Sequence, residues 1–322
     1  MFAVYAEKLS QDDPLSGLVT GERPDPQPEQ DWTTVSVRAA SLNHHDLWSL
    51  RGVGLREDAL PMILGCDAAG LDEDGNEVVV HAVVSSPSWT GDETLDPRRS
   101  LLSERHQGAF ADKVAVPRRN VVAKPSSLTF EEAACLPTAW LTAYRMLFVQ
   151  GGLRPGDSVL VQGAGGGVAT ALISLGRAAG LRVFATSRDE GKRKRAVELG
   201  AHEAVESGAK LPGKVDAVME TVGRATWSHS VRSLRPGGTL VTSGTTSGSD
   251  LEDAELTRIF FLQLRVVGST MGTREELRAL TELLDVSGTR PVIDRTLPME
   301  QARDGFAAMA DGDLFGKIVF TR

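Results

Sequence analysis

A run of five small residues between an apolar segment and a helix-like segment constrains this chain more than any other feature. Residues 159–169 read VLVQGAGGGVA, so a buried strand passes directly into a glycine-rich loop. A backbone almost without side chains can approach a pyrophosphate closely. The helix that follows offers unpaired N–H groups and a positive dipole end to negative charge. The segment therefore predicts a dinucleotide-binding loop.

The context of this loop strengthens the prediction, because a glycine motif standing alone can also be an ordinary turn. Here a strand precedes it, a helix follows it, and a second strand pattern begins about 20 residues further on, as dinucleotide folds require. We expect five consecutive residues to contact the cofactor through this loop: Ala164, Gly165, Gly166, Gly167 and Val168.

Strand and helix patterns alternate from Asp157 onward, and this alternation predicts a doubly wound parallel sheet with helices on both faces. The predicted strands cover 158–162, 181–186, 215–219, 238–243 and 265–269. The predicted helices lie near 167–179, 189–199, 225–233, 252–262 and 273–287. Segments that follow the strands at their carboxyl ends should face the nicotinamide half of the cofactor. These segments contain Gly244, Thr245 and Met271, although their glycines could also be plain turns.

The first 120 or so residues carry a different pattern. Short β-branched runs at 34–37, 77–84 and 113–116 predict strands, and residues 85–107 read as a long surface loop. A capping-box pattern at Thr129 predicts a helix over 130–136 that resumes after Pro137 and continues to residue 148.

The end of the second cofactor-domain strand indicates which dinucleotide is bound. An acidic residue at this position would bind the ribose 2′-hydroxyl of NAD, whereas this strand ends in Ser187 and Arg188, with Lys192 one helical turn later. A hydroxyl beside two cations suits a 2′-phosphate. We therefore expect NADP(H). The alternative is that these cations form a solvated face, and the nearby Asp189 and Glu190 weigh against a phosphate.

Length, charge and cysteine content limit the classes of partner that this chain could bind. The chain has 322 residues, a net charge of −8 and two cysteines without a CxxC pair. This charge argues against nucleic acid and anionic membranes as partners. No apolar run reaches the roughly 18 residues of a membrane span, and the first residues do not resemble a signal peptide. We expect a cytoplasmic enzyme of two domains that acts on a small molecule.

A set of motifs distributed over almost the whole chain resembles the medium-chain dehydrogenase/reductase superfamily, in particular its zinc-type alcohol dehydrogenase-like and quinone oxidoreductase-like members. The motifs include residues 41–48 (SLNHHDLW), 64–70 (LGCDAAG), 136–144 (LPTAWLTAY) and 234–240 (LRPGGTL). The resemblance implies a β-rich GroES-like catalytic domain over 1–121 and 290–322. It also implies a Rossmann NADP-binding domain over 122–289, and a homodimer formed through the edge strand near 265–269.

The resemblance also locates the catalytic zinc of other members. The positions that match their metal ligands hold Asn43, Cys66 and Thr138, of which only Cys66 is a good zinc ligand. The region that would carry the cysteines of a structural zinc has none. We therefore predict an enzyme without a metal.

Without zinc, an acceptor must be polarised by hydrogen-bond donors. The richest candidates are Asn43 and His45, with Asp46 orienting their loop. By resemblance His45 faces the substrate, and histidine is a natural proton donor near neutral pH. The alternative is that the histidines serve only as structural hydrogen-bonding groups. The resemblance assigns His44, Thr138 and Lys317 to the cofactor, and Lys317 is also expected to pair with Asp67.

These observations predict an NADPH-dependent oxidoreductase that reduces a quinone or an α,β-unsaturated carbonyl compound without a metal. Two alternatives stay open. One is an alcohol dehydrogenase or carbonyl reductase with a residual zinc site, and the other is a non-catalytic NADPH-binding protein.

Overall fold

The computed structural model describes residues 1–322. The chain divides into two compact units, one formed by Met1–Leu141 together with Met271–Arg322 and the other by Thr142–Thr270. The predicted domain boundaries differ from these divisions by two segments, 122–141 and 271–289. Both segments are largely helical. The predicted boundaries at residues 121 and 290 stay a prediction, because compactness alone does not define a domain.

The first part of the first unit is rich in short strands, as the sequence predicts. Its elements are β1 (Phe2–Ala6), β2 (Leu18–Glu22), β3 (Trp32–Ser41), α1 (His44–Leu50), β4 (Met62–Ile63), β5 (Asp67–Leu71), β6 (Glu77–Val80), β7 (Val83–Val84), β8 (Ser100–Leu101), β9 (Lys113–Pro117), β10 (Val121–Ala123) and α2 (Phe130–Ala134). The predicted long loop over 85–107 contains β8 and one 3-10 turn, Glu93–Leu95.

The helix predicted after Thr129 begins as expected but changes its winding. The Thr129 hydroxyl accepts from the Glu132 amide, which completes the predicted capping box. Beyond α2 the backbone is π-helical over Leu136–Trp140 and Arg145–Gln150. Pro137, near the start of the first π-helical turn, has no N–H to donate to an α-helical ladder.

The second unit contains the predicted alternation of strands and helices. Its elements are α3 (Leu141–Tyr144), β11 (Ser158–Val161), α4 (Gly167–Ala178), β12 (Arg182–Thr186), α5 (Glu190–Leu199), β13 (Glu203–Val205), β14 (Val215–Glu220), α6 (Trp227–Ser233), β15 (Leu234–Thr242), α7 (Leu256–Phe261) and β16 (Arg265–Gly268). The sheet order is β13-β12-β11-β14-β15-β16, and every pairing is parallel. This sheet confirms the predicted Rossmann-like fold.

The chain then returns to the first unit. Its last elements are α8 (Arg274–Ser287), β17 (Ile293–Pro298), α9 (Ala302–Asp311) and β18 (Lys317–Thr321). Strand β18 pairs antiparallel with β3, inside a seven-stranded sheet of order β10-β6-β5-β3-β18-β17 in which β9 also pairs with β3. Three buried aromatic rings, Phe110, Phe306 and Phe320, pack in the core of this unit. None of the helices combines the length and apolar character needed to span a bilayer.

Candidate active site

Three side chains of the first unit donate hydrogen bonds to one buried carboxylate. Asp67 is the first residue of β5 and is fully buried. Its oxygens accept from Ser41 Oγ at 2.7 Å, Asn43 Nδ2 at 2.8 Å and Thr138 Oγ1 at 2.6 Å. The antiparallel pairing of β3 with β5 places Ser41 directly opposite Asp67, so strand register builds one side of this cluster.

Lys317 supplies the positive charge of the cluster. This side chain is 2% exposed. Its Nζ donates to Leu42 O at 2.7 Å and to Asn43 Oδ1 at 2.6 Å, and it lies 3.5 Å from Asp67 Oδ2. The predicted Asp67–Lys317 pair is therefore confirmed. Two buried charges of opposite sign with hydrogen bonds to neutral groups form a compensated arrangement.

A second buried carboxylate holds the loop that carries the histidines. Asp46 is fully buried, and it accepts from the backbone N–H of Asn43 at 2.8 Å and of Gly65 at 3.1 Å. Burial raises the pKa of Asp46 to about 7, against the lowering effect of these two hydrogen bonds. The two contacts join the start of α1 to the segment before β5, and the role of Asp46 in orienting the catalytic loop stays a prediction.

The two histidines begin helix α1 and differ in their surroundings. His44 is exposed, whereas His45 is largely buried. His45 Nε2 lies 3.5 Å from Ser49 Oγ and 3.8 Å from Glu104 Oε1. Burial lowers the pKa of His45, while the charges of Glu104 and Asp67 act in the opposite direction. His45 is thus an imidazole with a carboxylate close to one ring nitrogen.

Sequence reasoning missed Glu104. This residue lies in the irregular segment after β8, and its other carboxylate oxygen accepts from the Leu101 amide at 3.1 Å. No motif or periodicity marks it, because the pairing with His45 depends on how a long loop folds back. A closer search for acidic residues in that loop would have produced Asp92, Glu93, Asp96 and Glu104 without choosing between them.

The side chains at the positions of the family's metal ligands do not fit a zinc ion. Asn43 and Thr138 direct their donors to Asp67. Cys66 is fully buried, and its Sγ donates to Leu102 O at 3.2 Å. Burial raises the pKa of the Cys66 thiol well above its usual value, whereas zinc binds thiolate. No group of three or more His, Cys, Asp and Glu side chains is arranged to hold a metal ion.

The glycine loop of the second unit has the geometry of an anion cradle. Gly163 and Gly165 have positive φ, 74° and 128°, which side-chain-bearing residues rarely adopt. Helix α4 begins at Gly167, so its first-turn N–H groups have no partner within the helix. A Cβ on Gly166 would meet no atom within 4 Å, which leaves open space over the loop. These features fit a dinucleotide pyrophosphate.

Of the residues predicted to select the cofactor, Ser187 and Arg188 follow β12, and Lys192 lies in the first turn of α5. Ser187 is buried and Arg188 is exposed. Arg193 Nη1 donates to the carbonyls of both residues, at 2.8 and 3.1 Å, and thereby fixes the turn. Asp189 accepts from the Lys192 amide at 2.7 Å as the N-cap of α5. Of the two carboxylates that weigh against a phosphate, Asp189 therefore serves as a helix cap, and Glu190 forms an ion pair with Lys194 at 2.8 Å.

The remaining predicted cofactor residues lie in different surroundings. Gly244 is half-buried and Thr245 is exposed in the loop after β15. This loop is held against the one after β14, because Ser247 N donates to Val222 O at 2.7 Å. Met271 belongs to the first unit, where it is buried in a small apolar cluster with Cys66.

Comparison with known proteins identifies the family. Residues 29–126 match the alcohol dehydrogenase GroES-like domain, and residues 167–285 match the zinc-binding dehydrogenase domain. An acryloyl-coenzyme A reductase of Sulfurisphaera tokodaii is 29% identical over 95% of this chain and 97% of its own. A quinone oxidoreductase of Mus musculus is 28% identical over 86% and 85%. A solved structure described as an NAD-dependent alcohol dehydrogenase superposes with a TM-score of 0.92, at 31% identity and full coverage of both chains.

The chain belongs to the medium-chain dehydrogenase/reductase superfamily. The named relatives are reductases and oxidoreductases, so this chain is an oxidoreductase of that superfamily, and family membership supports a nicotinamide cofactor. One of the two matching domains is described as zinc-binding, but the side chains around Asp67 do not form a set of zinc ligands.

Proposed function

We propose that this protein is an NADPH-dependent reductase of quinones or of C=C bonds conjugated to a carbonyl, and that it works without a metal. One observation carries the proposal. Of the side chains at the zinc-ligand positions, Asn43 and Thr138 are hydrogen-bonded to Asp67, and the buried Cys66 thiol donates to Leu102 O, so together they do not form a zinc site. Electron-poor acceptors need less polarisation than a simple ketone.

The relatives point the same way. An acryloyl thioester is an α,β-unsaturated carbonyl compound, and a quinone is a conjugated dicarbonyl. A bound nicotinamide would supply the hydride in either case. The protein must then supply a proton and stabilise negative charge on the acceptor oxygen.

We assign proton donation to His45, whose imidazole has the carboxylate of Glu104 at 3.8 Å from Nε2. Burial lowers the pKa of His45 overall, and the Glu104 carboxylate opposes that lowering by favouring a proton on the ring. Asp46 holds the backbone of Asn43 and so fixes the start of the helix that carries His45. The same proposal keeps His44, Thr138, Lys317 and Met271 as cofactor contacts of the first unit.

His45→Phe tests this role. Turnover should fall about a hundredfold, the usual size of a lost acid–base group, while the Kd for NADPH stays within about twofold. His106→Phe is the matched control, because His106 is another partly buried histidine of the same unit and forms no ion pair within 4 Å. Unchanged turnover in His45→Phe would remove this residue from the mechanism.

The choice of NADPH rests on Ser187, Arg188 and Lys192 at the start of α5. Arg188→Ala should weaken NADPH binding about tenfold and leave NADH binding nearly unchanged, because only NADPH carries the 2′-phosphate. Arg182→Ala, at the opposite end of β12, is the control. Equal losses for both cofactors would contradict the assignment.

A second candidate function is alcohol oxidation with NAD, favoured by the similarity to the structure described as an NAD-dependent alcohol dehydrogenase. One experiment separates the candidates: a screen of quinones, enones, enoyl thioesters, aldehydes and simple alcohols with both cofactors, with zinc quantified on the same sample. Reduction of enones or quinones by zinc-free protein supports the proposal. Alcohol oxidation by protein with one tightly held zinc per chain would overturn it. Cofactor binding without turnover of any acceptor would indicate a non-catalytic NADPH-binding protein.

We also propose that the enzyme is a cytoplasmic homodimer. Strand β16 is an edge of the parallel sheet, and large apolar side chains are exposed on it and on α7, namely Val266, Leu256, Phe260 and Phe261. Exposed strand edges and apolar patches commonly mark association sites. We expect the wild type to sediment as a dimer and Phe261→Asp to sediment as a monomer. A monomeric wild type would contradict the proposal.

A further inference from the structure

A buried chain of hydrogen bonds lies beneath the glycine loop. Gly163, the first glycine of the loop, directs its N–H to Thr186 Oγ1 at 3.3 Å. The Thr186 hydroxyl in turn donates to Gln162 Oε1 at 2.6 Å. Thr186 and Gln162 are both fully buried. Both lie at the carboxyl ends of neighbouring parallel strands, β12 and β11.

The chain continues from Gln162 to a carboxylate. Gln162 Nε2 donates to Ser230 Oγ at 2.9 Å, and Ser230 Oγ donates to Glu220 Oε2 at 2.6 Å. Glu220 is fully buried at the end of β14. The second N–H of the Gln162 amide meets His229 Nδ1 at 2.9 Å, while His229 Nε2 faces Ala209 O at 2.9 Å. Every polar atom of Gln162 is therefore engaged.

The chain has one consistent direction. A carboxylate oxygen accepts, so the Ser230 hydroxyl donates its hydrogen bond to Glu220, and its oxygen accepts from the Gln162 amide nitrogen. The Gln162 amide oxygen then accepts from Thr186, whose oxygen is left to accept from Gly163 N–H. Glu220 thus determines, through the two intervening side chains of Ser230 and Gln162, that the Thr186 hydroxyl presents a lone pair to the glycine loop.

Thr186 also binds the loop through its backbone. Its carbonyl oxygen accepts from the Ala164 N–H at 2.7 Å. The first two amides of the loop therefore end on one residue, and the residue after it, Ser187, begins the segment assigned to the 2′-phosphate. The N–H groups at the start of α4 are left for the pyrophosphate.

We propose that Thr186 is a positioning residue that fixes the spacing between the pyrophosphate loop and the 2′-phosphate segment, and thereby sets the preference for NADPH over NADH. The inference rests on the proposed NADPH function. Removing the hydroxyl leaves Gly163 N–H without an acceptor and Gln162 Oε1 without a donor, so the loop and the end of β12 no longer keep one register.

Thr186→Val tests the proposal, because it replaces the hydroxyl by a methyl group of similar size. The measurement is the Kd for NADPH and for NADH, from nicotinamide fluorescence of the purified full chain. We expect NADPH binding to weaken about tenfold and NADH binding about threefold, so that the preference between them shrinks. Thr186→Ser, which keeps the hydroxyl, should restore both constants to within about twofold of the wild type.

Thr239→Val is the matched control, since Thr239 is a buried threonine of β15 in the same sheet. It can lower the melting temperature but should leave both Kd values unchanged. If Thr186→Val does not fold, Ser230→Ala decides, because it breaks the chain two links away, with an expected NADPH loss of about threefold and a smaller NADH loss. An unchanged ratio of the two constants in the folded variant overturns the proposal. A wild type that binds neither nucleotide overturns the proposed function instead.

Discussion

The two units of this protein each bury a carboxylate completely, and they compensate it in different ways. Asp67 in the first unit has three side-chain donors and the ammonium of Lys317 at 3.5 Å. Glu220 in the second unit accepts from two hydroxyls, of Thr226 and Ser230, and from two backbone N–H groups, of Val222 and Gly223. The Asp67 site compensates the negative charge with a cation, whereas the Glu220 site stabilises its carboxylate through hydrogen bonds from neutral groups.

This difference predicts how the stability of each site responds when one partner of the carboxylate is removed. A cation close to a carboxylate in low dielectric contributes strongly, but its removal leaves a buried charge uncompensated. Neutral donors each contribute less, and losing one leaves the others in place. The Asp67 cluster, at the zinc positions of the family, should therefore be the more fragile of the two.

Lys317→Met should show the largest effect. Methionine keeps the length and apolar stem of the side chain but leaves Asp67 without its cation, so we expect the free energy of unfolding to fall by about 3–5 kcal/mol at pH 8. Urea denaturation measures this. Lys194→Met removes a lysine from an exposed ion pair with Glu190 and should change stability little. Equal effects of the two variants would show that Lys317 does not compensate Asp67.

The fold was largely predictable because its signals are local. Apolar strands followed by amphipathic or small-residue helices predicted every strand of the parallel sheet except the short β13 at its edge. The Thr129 capping box predicted the start of α2. The π-helical turns were not predicted, because the sequence pattern around Pro137 continues with helical periodicity whatever the backbone winding. The interruption between β6 and β7 was likewise missed, since it depends on Asn120, whose amide bonds His81 O and Val83 O from a distant turn.

The site was predictable where it coincides with motifs. The motifs identified Asn43, Thr138 and Lys317, which the structure places around Asp67. The sequence alone did not show that these side chains would form hydrogen bonds with one another and with Asp67. Glu104 and Glu220 were not predicted. Glu220 carried a usable signal, because an acidic residue at the end of a buried strand needs several donors. Glu104 carried none, because only the folding of a long loop brings it to His45.

Glu220→Gln sharpens the comparison and should have an intermediate effect. The substitution keeps the shape but places an amide NH₂ where hydroxyls and backbone N–H groups also donate, so one of them loses its acceptor. We expect the free energy of unfolding to fall by about 2 kcal/mol, less than for Lys317→Met, because no unpaired charge remains. The loss should also be nearly independent of ionic strength. A larger loss than in Lys317→Met would reverse the proposed ranking of the two sites.

Asp46 gives a third case, since its carboxylate accepts hydrogen bonds only from two backbone N–H groups, and its expected effect is on the pH dependence of stability. Its pKa, raised by burial to about 7 from the ordinary 3.8, means that the native state holds a proton between these values that the unfolded chain has released. The contribution of this group to stability is therefore full below about pH 4 and is lost as the pH rises toward 7.

The expected slope is roughly 1 kcal/mol per pH unit near pH 5–6. Asp46→Asn removes the titrating group, so the free energy of unfolding should depend less steeply on pH over that range than in the wild type. Urea denaturation at pH 5, 6 and 8 measures the difference. Asp216, whose pKa is lowered to about 2 by Ser158 and Arg235 against the effect of burial, titrates outside this window, so Asp216→Asn should leave the slope unchanged. Parallel curves for Asp46→Asn and the wild type would mean that Asp46 is ionised in the folded protein, held by its two backbone hydrogen bonds.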